Sequence, residues 1–132
     1  MDTNTNPALI LLVDDEADIL AVYKSKLEKV GFRVITAPDG AQAIQMAAEQ
    51  HPDLILMDMK MPVMDGFTAQ AKLQENPVTK GIKVVFLTAF SDPTNPEVDQ
   101  KTAKDIGALD FIKKGISLDE LVMKVREYLA RP

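Results

Sequence analysis

The sequence contains no cysteine and only one histidine, His51. The first absence excludes disulfides and thiolate chemistry. The second excludes a histidine-based triad and a zinc site built on imidazole. No apolar run approaches the ~20 residues needed to span a bilayer. The opening Met1-Asp-Thr-Asn-Thr-Asn-Pro7 has neither the basic start nor the apolar stretch of a secretory signal. A cytoplasmic protein without membrane insertion is therefore expected. Positive charge is also short: 15 Lys and Arg against 20 Asp and Glu leave a formal net charge of −5, with no basic patch to suggest direct nucleic-acid binding. There is no GxGxxG after the first apolar run and no GxxxxGK[ST] anywhere, so a nucleotide would lack its usual phosphate cradle.

The 132 residues suit one domain, large enough to bury about two-thirds of its unfolded surface. Residues 1–7 are expected as a flexible lead-in and 8–132 as the folded domain. Ala8 to Val13 and Leu54 to Met57 are unbroken apolar runs, Ile82 to Leu87 is apolar but for Lys83, Phe32 to Ala37 is rich in β-branched residues, and Leu109 to Ile112 is a short fifth run. That pattern predicts strands buried on both faces. Between them the spacing is helical. Ile19, Leu20, Tyr23, Leu27 and Val30 mark a first helix, with Gly31 just past its end. Ala41 to Gln50 forms a second, stopped at His51-Pro52. Thr68 to Glu75 forms a third, with Phe67, Ala71 and Leu73 turned inward. Val98 to Ile106 forms a fourth, and a fifth begins at the capping box Ser117-Leu-Asp-Glu120. Strands alternating with helices predict an α/β doubly wound parallel sheet with helices on both faces.

In such a sheet the ligand sits beyond the carboxyl ends of the strands, where the strand order reverses. Asp14 and Asp15 end the first strand, Asp58 the third, and Thr88 the fourth, while Lys114 follows the fifth. Taken singly, each has an ordinary explanation. Asp14-Asp15-Glu16 complements a helix dipole, Thr88 is a strand-end hydroxyl, and Lys113 and Lys114 are solvated charges. Together they make a different pattern. Crowded carboxylates repel; an oxygen-ligated Mg²⁺ relieves this, and a Lys ammonium and a Thr hydroxyl take the remaining oxygens of a phosphoryl group. Asp58 is then the covalent acceptor. His51 precedes the third strand and Asp58 ends it, roughly 20 Å apart at ~3.3 Å per residue, so His51 cannot act as its base. Met57, Met59, Met61 and Met64 are expected in core and loop packing.

Val13-Asp14-Asp15, Asp58-x-x-Met61-Pro62-x-Met64-Asp65-Gly66, Thr88-Ala89 and Asp110-Phe111-x-x-Lys114 resemble the receiver domain of two-component response regulators. The resemblance covers residue 8 to about 130. It implies a five-stranded flavodoxin-like fold, as in chemotaxis receivers, with strand order 2-1-3-4-5. It implies a phosphoryl group on Asp58, supplied by a histidine kinase or histidine phosphotransfer protein, and signalling by conformational change to a downstream target or effector domain. Asp15, Asp58 and the Lys60 carbonyl would hold Mg²⁺, with Asp14 acting through water. Thr88 and Lys114 would contact the phosphoryl group, Ala89 would let its backbone approach, and Thr88 and Phe111 would form the switch. Self-catalysed transfer and slow self-dephosphorylation are implied, not turnover of a substrate.

Three positions depart from the family pattern. Gly115 stands where receivers usually carry proline, so a trans Lys114–Gly115 bond is expected. Ser91–Pro96 lengthens the stretch from Thr88 to Lys114. Phe90 is bulky where many receivers have a smaller or polar residue. Two alternatives belong to other classes: a docking module that uses the fold without phosphorylation, and a metal-dependent aspartyl phosphatase. The second requires Asp-x-Asp, and Lys60 occupies its second position. No effector domain follows Pro132 in this sequence, so the expectation is a single-domain regulator or a piece of a larger one.

Overall fold

Residues 7–88 and 106–132 are described by a computed structural model. The lead-in up to residue 6, Ala89, Phe90, the Ser91–Pro96 insertion and nearly all of the expected fourth helix lie outside the described residues. Those described form five strands: β1 (Leu9–Val13), β2 (Arg33–Ala37), β3 (Leu54–Asp58), β4 (Lys83–Thr88) and β5 (Asp110–Lys113). They also form four helices: α1 (Ala17–Lys29), α2 (Gly40–Gln50), α3 (Gly66–Glu75) and α4 (Leu118–Ala130).

All strand pairs are parallel, in the order β2-β1-β3-β4-β5. Successive side chains on a strand point to opposite faces, and here both faces are covered. Ile10, Leu12, Leu54, Leu56, Val85, Leu87 and Ile112 pack with Tyr23 and Leu27 of α1 and with Leu121, Val122, Val125 and Tyr128 of α4. Leu11, Val13, Ile55, Met57, Val84 and Phe86 pack with Ala43 and Ala47 of α2 and with Ala69 and Leu73 of α3. This two-sided burial is why the strands read as continuous apolar runs. Met59 is buried as well, while Met61 and Met64 pack at the edge of the second core.

Three helices start on side-chain caps. Asp39 Oδ1 accepts from Gln42 N–H at 2.8 Å, Asp65 Oδ1 from Thr68 N–H at 2.8 Å, and Ser117 Oγ from Glu120 N–H at 3.1 Å. α1 differs: its N-cap residue, Glu16, makes no side-chain capping bond. α3 corrects one expectation. Its buried side is Gly66, Ala69, Gln70 and Leu73, whereas Ala71 is exposed. Phe67 and Leu73 do face the core, but Ala71 and Leu73 are roughly 200° apart around the helix, so burying Leu73 turns Ala71 outward. His51, exposed and left-handed at φ 51°, terminates α2.

The far end of α4 is tied back to the sheet. Lys83 Nζ, at the start of β4, donates to Tyr128 O at 2.9 Å, Leu129 O at 3.3 Å and Arg131 O. Tyr128 and Leu129 lie in the last turn, where a helix leaves carbonyls without an i+4 donor; Tyr128 O also accepts from Arg131 N–H at 3.2 Å. The Tyr128 hydroxyl donates to Asp110 Oδ2 at 2.8 Å; burial, then this bond, raises the Tyr128 pKa above that of an ordinary phenol. Among the described residues no helix is long and apolar enough to cross a membrane.

Candidate functional site

β1 lies between β2 and β3, so the chain reverses its direction of sheet growth at the β1–β3 pair. Val13 and Met57 are register partners across that pair. The next residues, Asp14 and Asp58, therefore emerge beside one another at the carboxyl edge. Asp14 is fully buried and Asp58 only 5% exposed.

The Lys114 ammonium sits between these carboxylates, 2.9 Å from Asp14 Oδ2 and 3.1 Å from Asp58 Oδ2. A third carboxylate, Glu16, reaches the same nitrogen at 3.3 Å. The backbone fixes the lysine as well, since its N–H donates to Thr88 O at 2.7 Å. Lys113 is the register partner of Thr88 and its side chain is exposed. Gly115 follows with φ +95°, and no cis peptide bond occurs among the described residues, so Lys114–Gly115 is trans as expected. Glycine reaches this backbone region without the Cβ penalty.

The other carboxylate oxygens are also engaged. Asp14 Oδ1 accepts from Glu16 N–H at 2.9 Å, and Asp58 Oδ1 from Lys60 N–H at 3.3 Å. Desolvation, reinforced by the neighbouring Asp14 carboxylate, pushes the Asp58 carboxyl up to about 6, against the pull of Lys114. Burial acts to depress the Lys114 pKa, but the Asp14 and Asp58 carboxylates outweigh it and hold the ammonium above the usual lysine value.

The loop after Asp58 packs closely. A Cβ on Gly66 would lie 2.6 Å from Asp58 O and 3.0 Å from Met59 Cα, so glycine is what allows α3 to start against the end of β3. Within this loop Met64 N–H donates to Pro62 O at 2.7 Å, closing a three-residue turn around Val63 at φ +71°.

Asp14, Asp58 and Lys114 are thus in contact, with Thr88 beside them through its carbonyl. Asp15 joins through the acidic cluster: Asp14, Asp15, Glu16 and Asp58 each offer a carboxylate oxygen, all within 4.8 Å of one another. The Asp14, Asp15 and Asp58 oxygens of that cluster form an all-oxygen, anionic donor set that fits a hard divalent cation, while Glu16 faces the Lys114 ammonium. Phe111 is half-buried on β5 and packs at the edge of the second core. Ala89 is outside the described residues. Sequence reasoning missed Glu16 as a partner of Lys114. It was visible only as the third acid in a run at a helix start, a position with a sufficient explanation in the helix dipole.

A doubly wound sheet with buried carboxylates and an ammonium at its switch point defines the class: a flavodoxin-like α/β protein with an acidic, lysine-bearing edge. The chain belongs to the response regulator receiver domain family, whose model matches residues 10–126. It is 38% identical over 132 residues to the transcriptional regulatory protein PrrA of Mycobacterium tuberculosis, covering 99% of this chain and 54% of PrrA. It thus spans about half the length of that relative. Among solved structures it is similar to the receiver domain of sensor histidine kinase PA1611 from Pseudomonas aeruginosa PAO1, with TM-score 0.82, 28% identity, and 95% and 99% of the two chains covered. That structure has a magnesium ion coordinated in its active-site cleft. The Vibrio cholerae chemotaxis response regulator CheY4 aligns with TM-score 0.80 and 27% identity, over 92% of this chain and 98% of its own.

Proposed function

We propose that this receiver, spanning residues 8–132, accepts a phosphoryl group on Asp58 from a phosphohistidine of a histidine kinase or histidine phosphotransfer protein. The observation that carries this is the buried Asp58 carboxylate 3.1 Å from the Lys114 ammonium at the switch point of the sheet. In the transfer a P–O bond forms to an Asp58 oxygen as the P–N bond to the donor imidazole breaks. The ring nitrogen keeps the bonding pair. Asp58 must react as a carboxylate, and a pKa of about 6 leaves it ionised at neutral pH.

Bound Mg²⁺, held by Asp15, Asp58 and the Lys60 carbonyl with Asp14 in an outer role, would supply positive charge to the transferring phosphoryl oxygens. Lys114 pairs with a further oxygen and Thr88 donates a hydrogen bond to another. Thr88 and Phe111 carry the change onward to a protein target or effector domain.

Transfer is self-catalysed and loss of the group is slow. Lys60 offers no acceptor to orient an attacking water. The work is intracellular signalling in the cytoplasm, without direct nucleic-acid contact by this domain.

Incubation with acetyl phosphate and Mg²⁺, followed by intact mass, tests the assignment. The wild type gains one phosphoryl group and Asp58→Asn gains none. Undiminished labelling of the mutant overturns Asp58. No labelling of the wild type identifies a docking module, and continuous release of phosphate identifies a phosphatase.

A further inference from the structure

Glu16 stands out because it occupies a helix N-cap without capping. Asn, Asp, Ser and Thr are preferred there because their short side chains reach back to the first free N–H groups, and α2, α3 and α4 use Asp39, Asp65 and Ser117 in that way. Glu16 makes no such bond. Its carboxylate lies instead 3.3 Å from Lys114 Nζ, across 98 residues of sequence. Its own N–H is held by Asp14 Oδ1 at 2.9 Å, so the residue that supports the lysine also anchors the backbone of Glu16.

The burial of the three partners differs in a way that matters. The Asp14 side chain is 0% exposed, that of Asp58 8%, and that of Glu16 60%. Asp14 cannot leave, and Asp58 is the proposed reacting group. Glu16 alone of the three can swing into water at little cost.

We infer that Glu16 is a positioning residue that acts as a displaceable counter-ion: it holds the Lys114 ammonium in the resting protein and competes with the incoming phosphoryl oxygen for it. Each transfer must then separate Glu16 from Lys114, so Glu16 slows phosphorylation and sets the resting threshold of the receiver. This role rests on Asp58 being the phosphoacceptor.

The test compares Glu16→Gln, Glu16→Asp and, as a control for general charge, Asp18→Asn, an exposed carboxylate in the first turn of α1. Rate constants for labelling by acetyl phosphate at saturating Mg²⁺ are measured together with Mg²⁺ binding to each unphosphorylated protein. A partly exposed ion pair of this kind predicts that Glu16→Gln labels about three- to fivefold faster. Glu16→Asp, one methylene shorter, falls between it and the wild type. Asp18→Asn stays near the wild type, and Mg²⁺ affinity in Glu16→Gln stays within about twofold, as loss of one weak exposed pair implies.

Three results overturn the inference. Glu16→Gln labels no faster than the wild type; Asp18→Asn matches its acceleration, which would make the effect one of overall field; or Glu16→Gln loses Mg²⁺ affinity by tenfold or more, which would make Glu16 a metal ligand. Labelling of the wild type with no acceleration in Glu16→Gln removes this role alone. No labelling of the wild type removes the Asp58 assignment with it.

Discussion

At the scale of single residues, two side chains sit where their chemistry is least comfortable. Val63 is β-branched, is 84% exposed, and has φ +71° inside the turn closed by Met64 and Pro62. Positive φ in such a residue is a strained state, and so exposed a side chain gains little from packing. Val63→Asn, which tolerates that region, should stabilise the fold by about 0.5–1 kcal/mol. Chemical denaturation reads this as a higher midpoint at unchanged slope. Asp58 carries a different cost. Its folded pKa of about 6 lies above its ordinary 3.8, so the native state holds the proton more tightly than the unfolded chain does. The sign follows from linkage: the contribution of Asp58 to stability is greatest below about 4 and is lost as pH rises through about 6. Metal-free Asp58→Asn should therefore be more stable than the wild type at pH 8, by about 1–2 kcal/mol. That advantage should fade between pH 6 and 4. A constant advantage across this range would show that the ionised carboxylate is not its source.

At the scale of elements, local chemistry in the sequence accounts for most of what forms. The apolar runs became strands because both faces of the sheet are covered. The Ser117 cap and the Leu121, Val122 and Val125 stripe of α4 were legible for the same kind of reason, being local in pitch and in hydrogen bonding. Contacts between distant segments were not legible. Nothing near Lys83 announces that its ammonium will close the C-terminus of α4, and nothing near Asp110 announces Tyr128. Of the inward residues expected of α3, Leu73 is buried and Phe67 packs on the second core, while Ala71 lies on the opposite side of the helix from Leu73; where the helix starts is set by tertiary crowding at Gly66. That crowding gives the prediction for this scale. Gly66→Ala places a methyl 2.6 Å from Asp58 O, so either α3 or the end of β3 must shift. A loss on the order of 2–4 kcal/mol is expected, visible as a lowered melting temperature. Labelling of Asp58 should slow even in the fraction that remains folded. A Gly66→Ala protein with wild-type melting and wild-type labelling would show that the α3 start has more slack than the geometry allows.

At the scale of the whole molecule, the site is legible for a topological reason. Any parallel strand–helix repeat brings its strand ends to one edge, so Asp14, Asp58, Thr88 and Lys114 could be grouped before any distance was known. The distances added what grouping could not. They show which lysine sits between the carboxylates, that Asp14 is entirely buried beneath it, and that Glu16 is a third partner. The strand order has a consequence of its own for how such a chain can be assembled. β2 joins one side of β1, β3 joins the other, then β4 joins β3 and β5 joins β4. At every stage the newest strand finds a free edge, and none must push between two that are already paired. A chain emerging N-terminus first can therefore build the sheet in the order of synthesis, with β2-β1-β3 in place once residue 58 has cleared the ribosome. Each stage also leaves β3, and then β4, as an open edge awaiting its neighbour. Unpaired edges recruit stray strands, so the moments of greatest aggregation risk fall in the pauses before β4 and β5 arrive.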